Sequence, residues 1–275
     1  MAASAIFAIA ACSLPSVSRA AADESFEYPL AVAAHGETIY VVDRNLPGVW
    51  KIEDSKPSVY CRGEKKLRTP LNAPWCVAVD AEGRVLVGDS ATREVYRIEE
   101  GKPVPLTKGA IGIPLGIAID RAGDLLVSDL ELNRIVKVTL SGDDAPRVEK
   151  YADVPAPSGV FLDAEDRLWV VSRRDDTLLR VSSDRKVEVI VAGRALQFPH
   201  AVVLDREGQP FLSDGYGKAV YKVDGEGNVS KWVSGDPLVN PVGMAWQGDQ
   251  LLVADPRAKA VFQINPQGKI SSVSE

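Results

Sequence analysis

The chain has 275 residues, 45% of them hydrophobic and 25% charged, a globular composition with enough length for one large core or two modest ones. Its 38 acidic and 32 basic side chains leave a net charge of −6, the wrong sign for a surface that tracks a phosphate backbone, so no nucleic-acid partner is expected. Three cysteines and two histidines are too few for a disulfide-built scaffold or for a zinc site assembled from several His and Cys ligands.

Residues 1–22 read as a secretory signal peptide. A short apolar run from Ala5 to Leu14 is followed by Pro15, small polar residues and Ala20-Ala21-Ala22, although no Lys or Arg precedes the run. The run is too short to span a bilayer, which takes about 20 residues, so no transmembrane span is expected. Cleavage near Ala20 or Ala22 would make the mature protein secreted or periplasmic. Ile9-Ala10-Ala11-Cys12 also has the outline of a lipobox, but with so few residues before it, none basic, a lipid anchor at Cys12 is the weaker reading. Without the leader, Cys61 and Cys76 remain. A bridge between them would add about 3 kcal/mol, but the repeat reading places them on different strands of neighbouring units, which favours two buried thiols.

From Tyr28 onward the sequence repeats. Pro29, Pro74, Pro114, Pro157, Pro199 and Pro241 each open an apolar run, at spacings of 45, 40, 43, 42 and 42 residues. Two residues after each proline stands a small residue, from Ala31 and Cys76 to Gly243. Turn chemistry such as Arg121-Ala122-Gly123 then leads into a second apolar run, which ends on Asp43, Asp89, Asp129, Asp214 or Asp255 and on Ser172 in the fourth copy. A third run carries a basic residue, as in Val95-Tyr96-Arg97-Ile98, and the fourth is the most polar. No helical period interrupts this pattern. Four short strands graded from buried to exposed predict an all-β, six-bladed β-propeller of four-stranded antiparallel blades over residues 23–275, with blades starting near 29, 74, 114, 157, 199 and 241. The segment Asp23 to Tyr28 is long enough for a strand that would pair with the last blade and close the ring.

The third unit, Pro114-Leu115-Gly116-Ile117-Ala118-Ile119-Asp120 followed by Val127-Ser128-Asp129 and Asn133-Arg134-Ile135, resembles the NHL-repeat family of six-bladed propellers. Broader relatives are the regucalcin- and gluconolactonase-like propellers. The resemblance implies a ligand site at the mouth of the central channel, on the face shared by the prolines and the terminal acids. The gluconolactonase type would add one Ca or other divalent metal held by carboxylate and Asn ligands, with lactone or ester hydrolysis as its reaction. The chain departs from that pattern: the residues after the prolines, Leu30, Trp75, Leu115, Ser158, His200 and Val242, include no Asp, Glu or Asn.

Repetition argues for architecture and deviation for function. The recurring aspartates read as caps for the loops that follow them. The residues that vary, Trp75, Ser158 and His200, together with Arg173-Arg174, which break the fourth copy, and Arg93 and Tyr216 on equivalent loops, form the candidate ligand-binding set, with two guanidinium groups suited to a carboxylate. Trp75 as a channel plug, His200 as a loop residue and the arginines as surface decoration are the structural alternatives. The sequence favours a monomeric, cofactor-free binding module for a peptide, a protein or a small anionic ligand, with the metal-dependent hydrolase as second reading.

Overall fold

The computed structural model describes residues 25–140 and 145–274. The signal-peptide reading, with Cys12 and the Ala20 and Ala22 cleavage sites, lies outside the described residues. The fold is all-β, with no helix among those residues. Six four-stranded antiparallel sheets follow one another in chain order, each running from its innermost to its outermost strand. The innermost strands are Pro29–His35, Pro74–Val79, Pro114–Ile119, Pro157–Leu162, Pro199–Leu204 and Met244–Gln247. In the sixth blade the regular strand therefore begins later than Pro241. Val242 N and Ala254 N still bond to Ala254 O and Gly243 O, so the chain is already in place before the ladder becomes regular.

Second strands such as Val85–Asp89 and Leu125–Asp129 are buried along their whole length, because each lies between two neighbouring sheets. Outer strands such as Val187–Val191 carry their polar residues into solvent. Packing is blade against blade: Phe211 and Val220 of blade five share a core with Met244, Leu251, Val253 and Phe262 of blade six.

The small residues after the prolines have a steric cause. A Cβ on Gly159 would stand 2.5 Å from His200 O and 2.6 Å from Ala201 Cα of the next blade, and one on Gly243 would stand 2.5 Å from Leu30 O of blade one. Inner strands crowd the axis, and a side chain there would hold neighbouring blades apart. Serine hydroxyls tie the same strands together: Ser128 Oγ donates to Ser158 O at 2.6 Å, Ser158 Oγ to His200 O at 3.0 Å and Ser213 Oγ to Val242 O at 2.6 Å.

Ring closure differs from the expected strand exchange. The sixth sheet takes all four strands from the C-terminal part of the chain, and among the described residues no strand precedes Pro29. Instead Glu27 N and Tyr28 N are held by Asp43 Oδ2, which ties the segment to blade one. Phe26 packs in the core shared by the first and last blades, with Trp50, Leu252, Val261 and Val273. The backbone donors at residues 27 and 28 are already satisfied by that carboxylate, and burial of Phe26 supplies the adhesion.

Candidate functional site

Pro29, Pro74, Pro114, Pro157 and Pro199 face Asp43, Asp89, Asp129, Ser172 and Asp214 across the first two strands, so the strand starts and the terminal acids share one face. The acids are fully buried and clamp backbone on two sides. Asp214 accepts Gln197 N and Phe198 N from the incoming segment and Gly217 N from the outgoing loop, and Asp255 does the same for Val239, Asn240, Arg257 and Ala258. They are loop caps, as expected, and they also fasten the approach to each inner strand.

Blade four lacks this carboxylate. Ser172 Oγ donates to Pro155 O at 2.7 Å, and the loop after it is free to carry a cation inward. That cation is Arg173. Its guanidinium is half-buried and lies 4.9 Å from the Phe198 ring centre. It donates from Nη2 to His200 Nδ1 at 2.8 Å and has no carboxylate partner among the described residues. Burial pushes its pKa down to about 10, so it remains charged at neutral pH. His200 is 8% exposed; burial, and then the neighbouring Arg173 charge, drive its pKa down to about 3. Phe198 meets the His200 ring edge-on at 4.8 Å and stacks on Tyr216 at 4.8 Å and 22°, leaving Tyr216 56% exposed. Asn240, buried beside Gly215, completes the wall: its side-chain amide forms no hydrogen bond within the described residues.

The structure thus brings together Arg173, His200 and Tyr216 of the residues singled out from sequence. Ser158 is adjacent but 2% exposed, its hydroxyl used up in tying blade four to blade five. Arg174 is exposed on the same loop. Arg93 lies apart, paired with Glu131 of blade three at 2.6 Å. Trp75 is half-buried on the far side of the ring, with Arg44 5.3 Å from its ring centre. Leu30, Leu115 and Val242 are buried and line the top of a central cavity of about 740 Å³, which continues to the turns of the opposite face.

Phe198 and Asn240 escaped the sequence reading. They stand immediately before Pro199 and Pro241, where the other copies have Tyr28, Ala73, Ile113 and Ala156. Comparing the residues before the prolines as well as those after them would have exposed both.

The site does not fit a divalent cation. The terminal aspartates spend their oxygens on backbone N–H groups, apart from the buried Asp89 Oδ2, and among the described residues no group of three or more His, Cys, Asp or Glu side chains converges.

No family model matches the chain, and no curated protein is similar to it at a significant level. Solved structures share its fold. It is similar to virginiamycin B lyase from Staphylococcus aureus, at 16% identity over 90% of this chain and 85% of that one, with a TM-score of 0.67. It is also similar to a gluconolactonase from Xanthomonas campestris, at 17% identity over 84% of each chain and a TM-score of 0.70. A third likeness is to a chain of the nidogen/laminin complex, at 17% identity over 89% of this chain and 92% of that one, with a TM-score of 0.68. At such identities these likenesses establish a six-bladed β-propeller and nothing narrower, and they do not show the NHL family.

Proposed function

We propose that this chain is a non-catalytic recognition module, secreted or periplasmic, whose proline face binds a small anionic ligand or the carboxylate-bearing end of a peptide or protein. The observation that carries the reading is Arg173, a half-buried guanidinium without a counter-ion among the described residues, held in one orientation by Phe198 and His200. Desolvating an unpaired cation is unfavourable, and a bound carboxylate would supply the missing charge through a two-pronged hydrogen bond.

The neighbouring groups support the same polarity. Guanidinium has no acceptor, so the lone pair on His200 Nδ1 accepts the hydrogen bond from Arg173 Nη2 and the imidazole carries its own proton on Nε2. His200 is therefore a donor at its free nitrogen, and it has no second lone pair with which to act as a general base. The Asn240 amide adds another donor, and the Tyr216 face offers a planar surface to an apolar part of the ligand. The similar folds include proteins named as enzymes and a chain from a protein complex, so the fold alone does not choose between chemistry and binding. The committed carboxylates leave the metal-dependent hydrolase reading without an observation in its favour.

Calorimetric titration with mono-, di- and tricarboxylates and with peptides bearing a free C-terminus tests this. Binding is expected to be saturable, to weaken by about tenfold or more in Arg173→Met, and to persist in Arg93→Met. Carboxylate binding that Arg173→Met leaves unchanged would overturn the assignment.

A further inference from the structure

The opposite end of the channel holds a second departure from the repeat. In every third strand one position faces the second strand of its own blade, and it is basic in five blades. Lys51 pairs there with Glu53 at 2.6 Å, Arg97 with Glu99, Lys137 with Asp120 and Asp124 at 2.9 and 3.1 Å, and Arg180 with Glu188 at 2.7 Å. Lys222 of blade five, opposite Phe211, has no carboxylate partner among the described residues. Its ammonium lies 5.1 Å from the Phe211 ring centre and 5.0 Å from that of Trp232.

In blade three the cation at this position meets the acid of the first turn, and the corresponding acid of blade five is also unpaired among the described residues. Asp80, Asp120 and Asp163, in the first turn of blades two to four, each give Oδ2 to a cation: Arg84, Lys137 and Arg167. Asp205, their counterpart in blade five, uses Oδ1 for Glu207 N at 3.1 Å and Gln209 N at 2.8 Å, and its Oδ2 has no partner among the described residues. Beside them Trp246 stands edge-on to Phe211 at 5.4 Å, its Nε1 buried without an acceptor, whereas Trp169 Nε1 in blade four donates to Asp163 at 2.8 Å. Asp205, Phe211, Lys222, Trp232 and Trp246 all line one end of the 740 Å³ central cavity, whose volume is shared by all six blades. Arg206, Glu207 and Asp249 stand exposed on the rim around it.

We propose that this recess between blades five and six binds a small zwitterion, an α-amino acid with an apolar or aromatic side chain. A cation and a carboxylate that share one recess and fail to neutralise each other present complementary charges to a molecule carrying both signs. The carboxylate goes to Lys222, the ammonium to Asp205 Oδ2, and the side chain to the aromatic wall of Trp232 and Phe211. An inorganic anion satisfies only half of the arrangement. So does a simple amine.

Intrinsic tryptophan fluorescence of the intact protein, titrated with L-phenylalanine, reads the site through Trp232 and Trp246. Saturable change is expected with L-phenylalanine, and binding about tenfold weaker or more with N-acetyl-L-phenylalanine and with L-phenylalanine amide, each of which lacks one charge. Lys222→Met and Asp205→Asn should weaken it similarly. The Asn variant keeps the turn, because Asn265 Oδ1 already accepts Gln267 N and Lys269 N in the corresponding way at the last turn of blade six. Arg173→Met should leave this binding unchanged, which separates the two faces. Absence of saturation at millimolar L-phenylalanine, equal binding of the blocked analogues, displacement by a neutral oligosaccharide, or unaltered affinity in both variants would each overturn the proposal.

Discussion

Arg173 Nη2 donates to His200 Nδ1 at 2.8 Å; this bond fixes the tautomer and orientation of the imidazole, while burial, and then the Arg173 charge, keep it neutral. Protonation of Nδ1 would replace an acceptor with a donor facing a guanidinium. The folded-state pKa of about 3 lies below the unfolded value near 6.5, so the unfolded chain binds the proton more readily. Stability from this group is therefore complete above pH 6.5 and is lost as pH falls toward about 3, an effect on the order of 5 kcal/mol. Urea unfolding between neutral pH and about pH 4 should show a steeper loss in the wild type than in His200→Gln. NMR of the ring should show no titration near pH 6.5; a midpoint there would mean that the ring is neither buried nor bonded to Arg173.

Asp214 closes three backbone donors, Gln197, Phe198 and Gly217, and through Phe198 it sets the floor under Arg173. Asp214→Ala leaves those donors buried or loosely solvated, with an expected loss of about 3 kcal/mol or more in denaturant unfolding. Anion affinity should fall with it even though Asp214 touches no ligand. Asp175→Ala, on an exposed loop position, should stay within about 0.5 kcal/mol of wild type.

Two glycines separate axial crowding from turn geometry. In Gly159→Ala the new methyl would meet His200 O and Ala201 Cα of the next blade, so both the inter-blade packing and the His200 position should suffer, by about 1–3 kcal/mol. Gly123 has φ +84° and nothing within 4 Å, so Gly123→Ala strains only its own turn, at about 1 kcal/mol. Anion binding should drop in the first variant and stay constant in the second.

What could be read from the sequence follows from what repeats. Six prolines, six small residues and five aspartates recur because every blade meets the same crowding at the axis and the same unpaired backbone at its rim. Fold and the capping role of the acids were therefore legible, whereas the sixth ladder becomes regular only at Met244, after Pro241. Contacts between copies were not. Arg93 and Arg173 sit on equivalent loops, yet one finds Glu131 and the other finds His200, and only the neighbouring blade decides which. Phe198 and Asn240 were hidden for a related reason: a single aromatic or amide before a proline carries no periodic signal. The N-terminal segment looked like a strand by length, but Asp43 had already claimed its donors.

Cys61 and Cys76 lie on the outermost strand of blade one and the innermost strand of blade two, and both thiols are free and buried. Cys61 Sγ donates to Gly101 O at 3.2 Å, and burial raises its pKa. Cys76 is pressed toward Gly88, and burial pushes its thiol up to about 12. Neither supplies much thiolate, the species that alkylates or exchanges with disulfides, so both should resist iodoacetamide in the native state at mildly alkaline pH. After unfolding without reductant, both should react, and the mass should rise by two carbamidomethyl groups in a chain lacking the leader. A chain that labels only after reduction would show that these cysteines are bridged. The outer strand of blade one would then have to shift toward the axis, and Tyr60 and Leu71, which pack beside Cys61, would move with it.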